Sequence, residues 1–304
     1  MTEEGLFGEN VSQLRFVSFD TETTGSGSSD SLVEVAAVAF DEEFEHRRFE
    51  TLVKPPEAIP PAVIKIHGIT DEMVAGAPQA AGALEKFFGF LGYVGTPRVL
   101  LAHNAGFDVA MIHGELRRLG AEGRRAVGTS SETGHGELVL DTCMLAKALL
   151  PELPHHRLES LALHFKVETG KLHRALTDAR ALHGVFLGLL GLAADRAAIG
   201  QGLTLEALVN LAGGYFVLNA PSADARARPF RLPPRLAAIE PLCGGASRVS
   251  ITYERDEDCR YITPIAIKMR GFRVYVEAFC HRENIKKTFR ADRILKIGRV
   301  ECSP

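Results

Sequence analysis

Four carboxylates and one imidazole, in three short stretches, are the residues of this chain best suited to chemistry. Asp20 and Glu22 stand in Phe19-Asp20-Thr21-Glu22-Thr23-Thr24-Gly25. Asp108 closes His103-Asn104-Ala105-Gly106-Phe107-Asp108, and His173-Arg174-Ala175-Leu176-Thr177-Asp178 supplies the rest. Carboxylate oxygens are the ligands that hard divalent ions such as magnesium take. Two such ions, roughly 3.5–4 Å apart, clamp the attacking and leaving oxygens of an in-line displacement. An imidazole titrating near about 6.5 suits general base work beside them. Such a set is what two-metal phosphodiester hydrolysis needs. Each stretch alone is a weak signal, and their combination in this order is a specific one.

These side chains must converge, so the elements around them matter. Leu14–Phe19 is almost wholly apolar, as in a strand covered on both faces. Side chains alternate along a strand, so Asp20 and Glu22 are expected to leave its end on the same side. Thr23, Thr24 and the Gly25–Ser29 stretch then break it. In open α/β sheets, sites form at strand ends beside a switch in strand order. The run Arg98–Ala102 reads as another strand, with Asp108 beginning a helix that ends near Leu119, before Gly120. An acid in a first helical turn also has an ordinary explanation in the helix dipole. A third helix runs from Ala175 to about Leu190, with Leu182, Val185 and Leu189 on the stripe that carries Asp178. A carboxylate aimed at a core is costly unless paired, by a salt bridge or by a metal ion. His173 precedes that helix in a loop-like stretch.

These residues resemble the DEDDh branch of the DnaQ-like 3′→5′ exonucleases, over about residues 14–191. Ile66-His67-Gly68-Ile69-Thr70 resembles that family's segment beside the substrate groove. Asp141-Thr142, Leu145-Ala146, His156-Arg157-Leu158 and Leu161-Ala162 follow its usual run between the second and third motifs. The resemblance implies an α/β, ribonuclease H-like fold, a mixed sheet of about five strands flanked by helices. It implies two Mg2+ (or Mn2+) ions, with Asp20, Glu22 and Asp178 on the tighter one, Asp20 bridging, and Asp108 supporting the second. His173 would take the proton from the attacking water. Thr23, His67, Asn104 and Phe107 are the implied substrate contacts. Gly128–Gly136 is an insertion and reads as a mobile surface loop.

The 304 residues allow one or two domains, and 46% hydrophobic content allows a full core. Met1–Asn10 is acidic and polar rather than a targeting signal, and no apolar run reaches about 18 residues. Cysteines 143, 243, 259, 280 and 302 form no Cys-x-x-Cys pair. This favours free thiols in a reducing cytoplasm over structural zinc. The net charge of −3 hides an asymmetry: residues 221–304 hold 17 Lys and Arg against 10 Asp and Glu, and residues 1–220 hold 18 against 28. An acidic nuclease part and a basic tail that contacts phosphates would account for it.

Strands are expected near 14–20, 32–40, 44–53, 98–103 and 137–141. Helices are expected from Pro78 to near Gly92, over Thr142–Leu150, over about 157–165 and over about 203–212. Residues 219–235 hold four Pro and four Arg, a linker composition. From about 246 come five short β segments: Arg248–Tyr253, Arg260–Lys268, Phe272–Cys280, Asn284–Phe289 and Arg293–Ile297. That pattern suggests a small barrel.

This end is similar to the WYL domain, an SH3/Sm-like β-barrel. The likeness rests on Ile251-Thr252-Tyr253, Tyr275-Val276-Glu277-Ala278-Phe279-Cys280 and Lys287-Thr288-Phe289-Arg290-Ala291-Asp292-Arg293-Ile294. By that resemblance Tyr275, Lys287, Arg290 and Arg293 are candidate nucleic-acid contacts. Aromatic stacking beside cations grips single strands. Tyr275 and Phe289 in the core, with solvated arginines, are the alternative.

The sequence thus implies an exonuclease domain over 10–195, a helical and Pro/Arg-rich linker over 196–245 and a WYL-like barrel over 246–304. The activity implied is metal-dependent 3′→5′ exonuclease action in the cytoplasm, releasing nucleoside 5′-monophosphates, with nucleic acid as partner and no membrane. DNA is favoured, with RNA 3′-end trimming as the rival and a non-catalytic nucleic-acid-binding regulator as the rival of another class. No clamp-binding pentapeptide is evident, which favours repair or processing over a constitutive replisome role.

Overall fold

The computed structural model describes residues 3–27, 29–120, 122–123, 136–170, 173–196, 202–218, 230–232, 234–253, 256, 258–270 and 273–301. Residues 128–135 of the insertion, most of 219–235 and Cys302 lie outside them.

Seven strands form the first sheet, in the order β3-β2-β1-β4-β5-β6-β7. They are β1 (Arg15–Thr23), β2 (Leu32–Phe40), β3 (Glu45–Leu52), β4 (Arg98–Ala102), β5 (Glu137–Asp141), β6 (Tyr215–Leu218) and β7 (Phe230–Arg231). β1 runs antiparallel to β2 and parallel to β4. All nine residues of β2 are buried, whereas the edge strand β3 carries an exposed charged face. Charge on an edge discourages pairing with another chain.

Strand alternation divides the core in two. Phe16, Val38, Phe40, Val99, Leu101 and Leu140 face one apolar cluster. Val17, Phe19, Val35, Leu100 and Val139 face the other. Helices α4 (Ala80–Val94) and α5 (Ala105–Arg118) cover the second face. Helices α6 (Thr142–Leu149), α7 (Leu158–His164), α8 (Ala175–Arg196) and α9 (Leu205–Ala212) cover the first. Short helices α1 (Glu3–Gly8), α2 (Pro61–His67), α3 (Asp71–Val74) and α10 (Pro234–Ala237) complete the main-chain course.

Several expectations need correction. β1 does not end at Asp20. It pairs with β2 as far as Thr23, opposite Leu32, so both acids lie inside a strand. α5 begins at Ala105, with Asp108 in its first turn. α4 continues past Gly92 to Val94 because its buried stripe does. α8 extends past Leu190 to Arg196 for the same reason, with Ala193 buried. By length and composition α8 could cross a membrane, but Ala179, Leu182, Val185 and Leu189 are packed in the core.

The stretch read as a linker is the largest correction. Leu205, Leu208, Val209, Ala212, Tyr215 and Val217 belong to the first core cluster, and Phe216 and Leu218 to the second. β6 pairs antiparallel with β5, adding a strand buried on both faces. Leu232, Leu236 and Ile239 instead join the core of the second sheet. That sheet is antiparallel, in the order β11-β10-β9-β8-β12: β8 (Arg248–Tyr253), β9 (Arg260–Arg270), β10 (Arg273–Cys280), β11 (Ile285–Arg290) and β12 (Ile294–Glu301). Its outer strands β11 and β12 are not paired with each other among the described residues; the unit is a five-stranded antiparallel sheet. Val276, Ala278, Cys280 and Phe289 form its core. Arg260 lies beneath the rings of Tyr253 and Phe289 and pairs with Asp256 and Glu283.

Because α9 and β6 complete the core of the first sheet, Leu208→Ala is expected to destabilise that unit by about 2–5 kcal/mol. Urea unfolding followed by circular dichroism checks this. A change within about 0.5 kcal/mol would return the segment to the status of a linker.

Candidate active site

The site opens where β1 loses one neighbour. Its ladder with β4 ends at Ser18, opposite Leu101, while its ladder with β2 continues to Thr23. Beyond Ser18, β1 therefore borders a crevice on one side. Asp20 and Glu22 share the face of Phe16 and Ser18, the face covered by α8. Asp178 arrives in the first turn of that helix. The candidate ligand oxygens of Asp20, Glu22 and Asp178 all lie within 4.8 Å of one another. Ser18 Oγ donates to the Ala179 carbonyl at 2.7 Å, tying β1 to α8 beside Asp178.

Asp108 approaches from the other face. Thr21 points that way, and both its backbone N–H and its hydroxyl donate to Asp108 Oδ1, at 3.1 and 2.7 Å. Asp108 is 3% exposed and stands outside the compact three-carboxylate group. The intervening residue of the Asp-Thr-Glu motif thus anchors the fourth acid, a role that sequence reading did not give it.

Burial and mutual repulsion act on all four acids. Desolvation, then the charges of Asp108, Asp178, Glu22 and Glu34, hold the Asp20 carboxyl well above its usual range. Burial foremost, then Asp178 and Glu34, pushes Glu22 up to about 8. Burial pushes Asp108 up to about 7 against the opposing Thr21 hydrogen bonds. It pushes Asp178 up to about 6, opposed by the His173 N–H. Acids in this state exchange protons readily for a divalent cation.

His173 occupies a turn with φ of 70°. Its N–H donates to both Asp178 oxygens at 3.3 and 3.2 Å. Its half-exposed ring places Nε2 3.4 Å from Glu159 Oε1 on α7, so the backbone, not the imidazole, touches the acid cluster.

The candidate substrate contacts differ in availability. Thr23 is buried, with its hydroxyl donating to the Gly25 carbonyl at 2.6 Å. His67 ends α2 and is 4% exposed. Its Nδ1 accepts from the Ile69 N–H at 2.9 Å, and its Nε2 is buried without a hydrogen-bond partner among the described residues. Asn104 has left-handed backbone, φ 70°, at the start of α5, and its N–H donates to Asp141. Phe107 packs at the edge of the second core cluster. On the second sheet, Lys287 Nζ is engaged by Glu283 at 2.6 Å. Tyr275 and Arg290 are partners across the β10–β11 ladder. Arg293 lies in the turn that leads into β12. Phe289 is a core residue, as the alternative reading had it, while Tyr275 is half-buried.

A buried acid escaped the sequence reading altogether. Glu34, 0% exposed on β2, stands opposite Glu22 in the ladder and pairs with Arg174. The signal was present: it is the one charge in Leu32-Val33-Glu34-Val35-Ala36-Ala37-Val38-Ala39-Phe40.

The sheet is covered by helices on both faces, and its carboxylate cluster lies where β1 keeps its antiparallel neighbour but has lost its parallel one. Residues 17–186 match the exonuclease family profile, and residues 236–298 match the WYL domain. The chain belongs to the DnaQ-like exonuclease family and carries a WYL domain. It is 38% identical over 180 residues to the DNA polymerase III subunit epsilon of Treponema pallidum, covering 58% of this chain and 77% of that one. It is 37% identical over 173 residues to the PolC-type DNA polymerase III of Oceanobacillus iheyensis, covering 57% of this chain but 11% of that one. Among solved structures, E. coli Exonuclease I in complex with a dA16 oligonucleotide has the same fold, with a TM-score of 0.54 and 18% identity over 88% of this chain and 55% of that one.

The raised carboxyls make a prediction about the metal-free protein. Unfolded, these acids titrate near about 4. Folded, they hold protons to higher pH, so the native state binds more protons than the unfolded chain between about 4 and 8. Stability in EDTA therefore falls as pH rises through that window. Asp20→Asn is expected to raise the Tm at pH 8 and flatten its slope against pH, measured by differential scanning calorimetry. A lower Tm for Asp20→Asn at pH 8 would contradict the repulsion described here.

Proposed function

We propose that this chain is a metal-dependent 3′→5′ exonuclease that releases nucleoside 5′-monophosphates from nucleic-acid ends, with DNA as its main substrate. The observation that carries this reading is the group of Asp20, Glu22 and Asp178, ligand oxygens within 4.8 Å, in surroundings that raise all three acids. Hard oxygen donors in a partly desolvated group fit magnesium or manganese. When bound, such ions polarise the scissile phosphate and make water acidic enough to attack.

In this reading Asp20, Glu22 and Asp178 would hold one ion. Asp20 and Asp108 would serve a second, with Thr21 orienting Asp108 through Oδ1. His173 takes the proton of the attacking water at a ring nitrogen. Its half-exposed ring can reach incoming solvent, with Glu159 3.4 Å from its Nε2. The unpartnered Nε2 of His67 is a contact for the terminal nucleotide. The WYL domain is an accessory nucleic-acid contact, supported by the basic excess of residues 221–304. DNA is preferred on the relatedness to DNA polymerase III subunits.

The test is degradation of 5′-labelled oligonucleotides of DNA and RNA, single- and double-stranded, in magnesium or manganese. Stepwise shortening from the 3′ end, blocked by a 3′ cap, is expected. Internal cuts in a closed circle, or mononucleotides freed first from the 5′ end, would contradict the polarity. Faster trimming of RNA would move the substrate to the RNA rival. Asp20→Ala and Asp178→Ala should abolish hydrolysis. His173→Ala should slow it roughly 10²–10⁴-fold while manganese binding by calorimetry persists. Near-normal turnover by Asp20→Ala would sink the metal-based reading.

A further prediction concerns the accessory domain. The double change Arg290→Ala with Arg293→Ala in the full chain is expected to weaken binding to long single strands in fluorescence anisotropy. For every phosphate that is no longer neutralised, the log–log salt slope falls by about 0.7, with base preference unchanged. An unaltered salt slope would assign the domain to another ligand.

A further inference from the structure

A carboxylate buried at 0% exposure needs partners. Among the described residues, those of Glu34 come from the turn that starts α8. Arg174 Nε donates to both its oxygens at 3.1 Å, Arg174 Nη2 donates to Oε1 at 2.5 Å, and the Ala175 N–H donates to Oε2 at 2.9 Å. Arg174 also lies 3.6 Å from Glu50 on β3. The strand position holding this turn is the one directly opposite Glu22.

The placement has a consequence for the site. Asp20 and Glu22 ride on β1, while His173 and Asp178 ride on a separate element that must be set against it. Ser18 holds α8 just after Asp178, through Ala179. Glu34 holds it before Asp178, at positions 174 and 175. Two fixed points, one on each side, fix the depth and rotation of the first turn. His173 is adjacent to the second point, and its N–H steadies the Asp178 carboxylate. A misplacement of about 1 Å can lower a rate about 10²-fold.

We propose that Glu34 and Arg174 act as a positioning clamp, setting His173 and Asp178 against Asp20 and Glu22. The clamp depends on the forked geometry of the guanidinium and not on its charge alone. This rests on the nuclease reading above. The competing account is that Arg174 only neutralises a buried acid. Arg174→Lys separates the two, because lysine keeps the charge and loses the fork. The Arg174 side chain is 37% exposed, so the substitution leaves the core intact.

The experiment uses the full chain on a short 5′-labelled single-stranded DNA. Arg174→Lys and Glu34→Gln are expected to lower kcat about 10–100-fold, with KM changed less than about threefold. Arg174→Ala should regain part of its rate when guanidinium ion is added at non-denaturing concentration, whereas Arg174→Ala combined with Glu34→Gln should not. Manganese titration of the protein without substrate should give weaker binding in Arg174→Lys, since Asp178 is displaced. With an active wild type, wild-type kcat and manganese affinity in Arg174→Lys overturn the clamp and leave the nuclease reading standing. With an inactive wild type, the nuclease reading falls and the manganese isotherms alone decide: weaker binding in Arg174→Lys upholds the clamp, equal binding overturns it. If Glu34→Gln does not fold, the two Arg174 variants and guanidinium rescue carry the decision.

Discussion

Mutual repulsion among acids withdrawn from water is the constraint to which the rest of this structure responds. Burial foremost, then repulsion from neighbouring carboxylates, raises the proton affinity of Asp20, Glu22, Asp108 and Asp178. Left to itself such a cluster would swell apart. Each acid outside β1 is instead gripped by donors: Asp108 by Thr21, Asp178 by the His173 N–H, Glu34 by Arg174 and the Ala175 N–H. The fully buried β2 and the apolar layers on both faces of the sheet supply the rigidity that holds these donors in place.

The sheet solves a second problem, that of bringing separate elements to one point. An antiparallel neighbour that outlasts a parallel one leaves a split on one side of β1. Alternation then sends Asp20 and Glu22 toward α8 and Thr21 toward α5. A one-residue slip of β1 would exchange these directions, turning both acids away from Asp178 and Thr21 away from Asp108. The antiparallel ladder with β2, running eight pairs from Phe16 to Thr23, therefore specifies the chemistry as much as the fold.

The acids on β1 and the Asp178 stripe were legible because each depends on a local period, of two or of 3.6 residues. Glu34 was equally visible as a lone charge in an apolar run, but its partner lies 140 positions away, and nothing local announces the pairing. β6 was illegible for a different reason. Tyr215–Leu218 is four residues long, follows two glycines and precedes a Pro/Arg-rich stretch, so composition argued for a connector. Its pairing with β5, which would otherwise be a bare hydrophobic edge, and with β7 makes it a strand. The reach of β1 past Asp20 likewise reflects its partner and not its sequence. The two central threonines favour a strand, but the glycine and serine that follow overweighted the break.

The junction between the two sheets bears on how the basic and acidic parts of the chain act together. β7 pairs with β6 at the outer side of the nuclease sheet, and the next residue, Leu232, is already in the core of the second sheet. α9, a nuclease-core helix, also touches the turn Ala291–Arg293. At this end the two sheets meet within consecutive described residues. A flexible tether would let a basic module sample many orientations, so that its phosphate contacts added affinity alone. A junction of consecutive residues narrows that range of orientations.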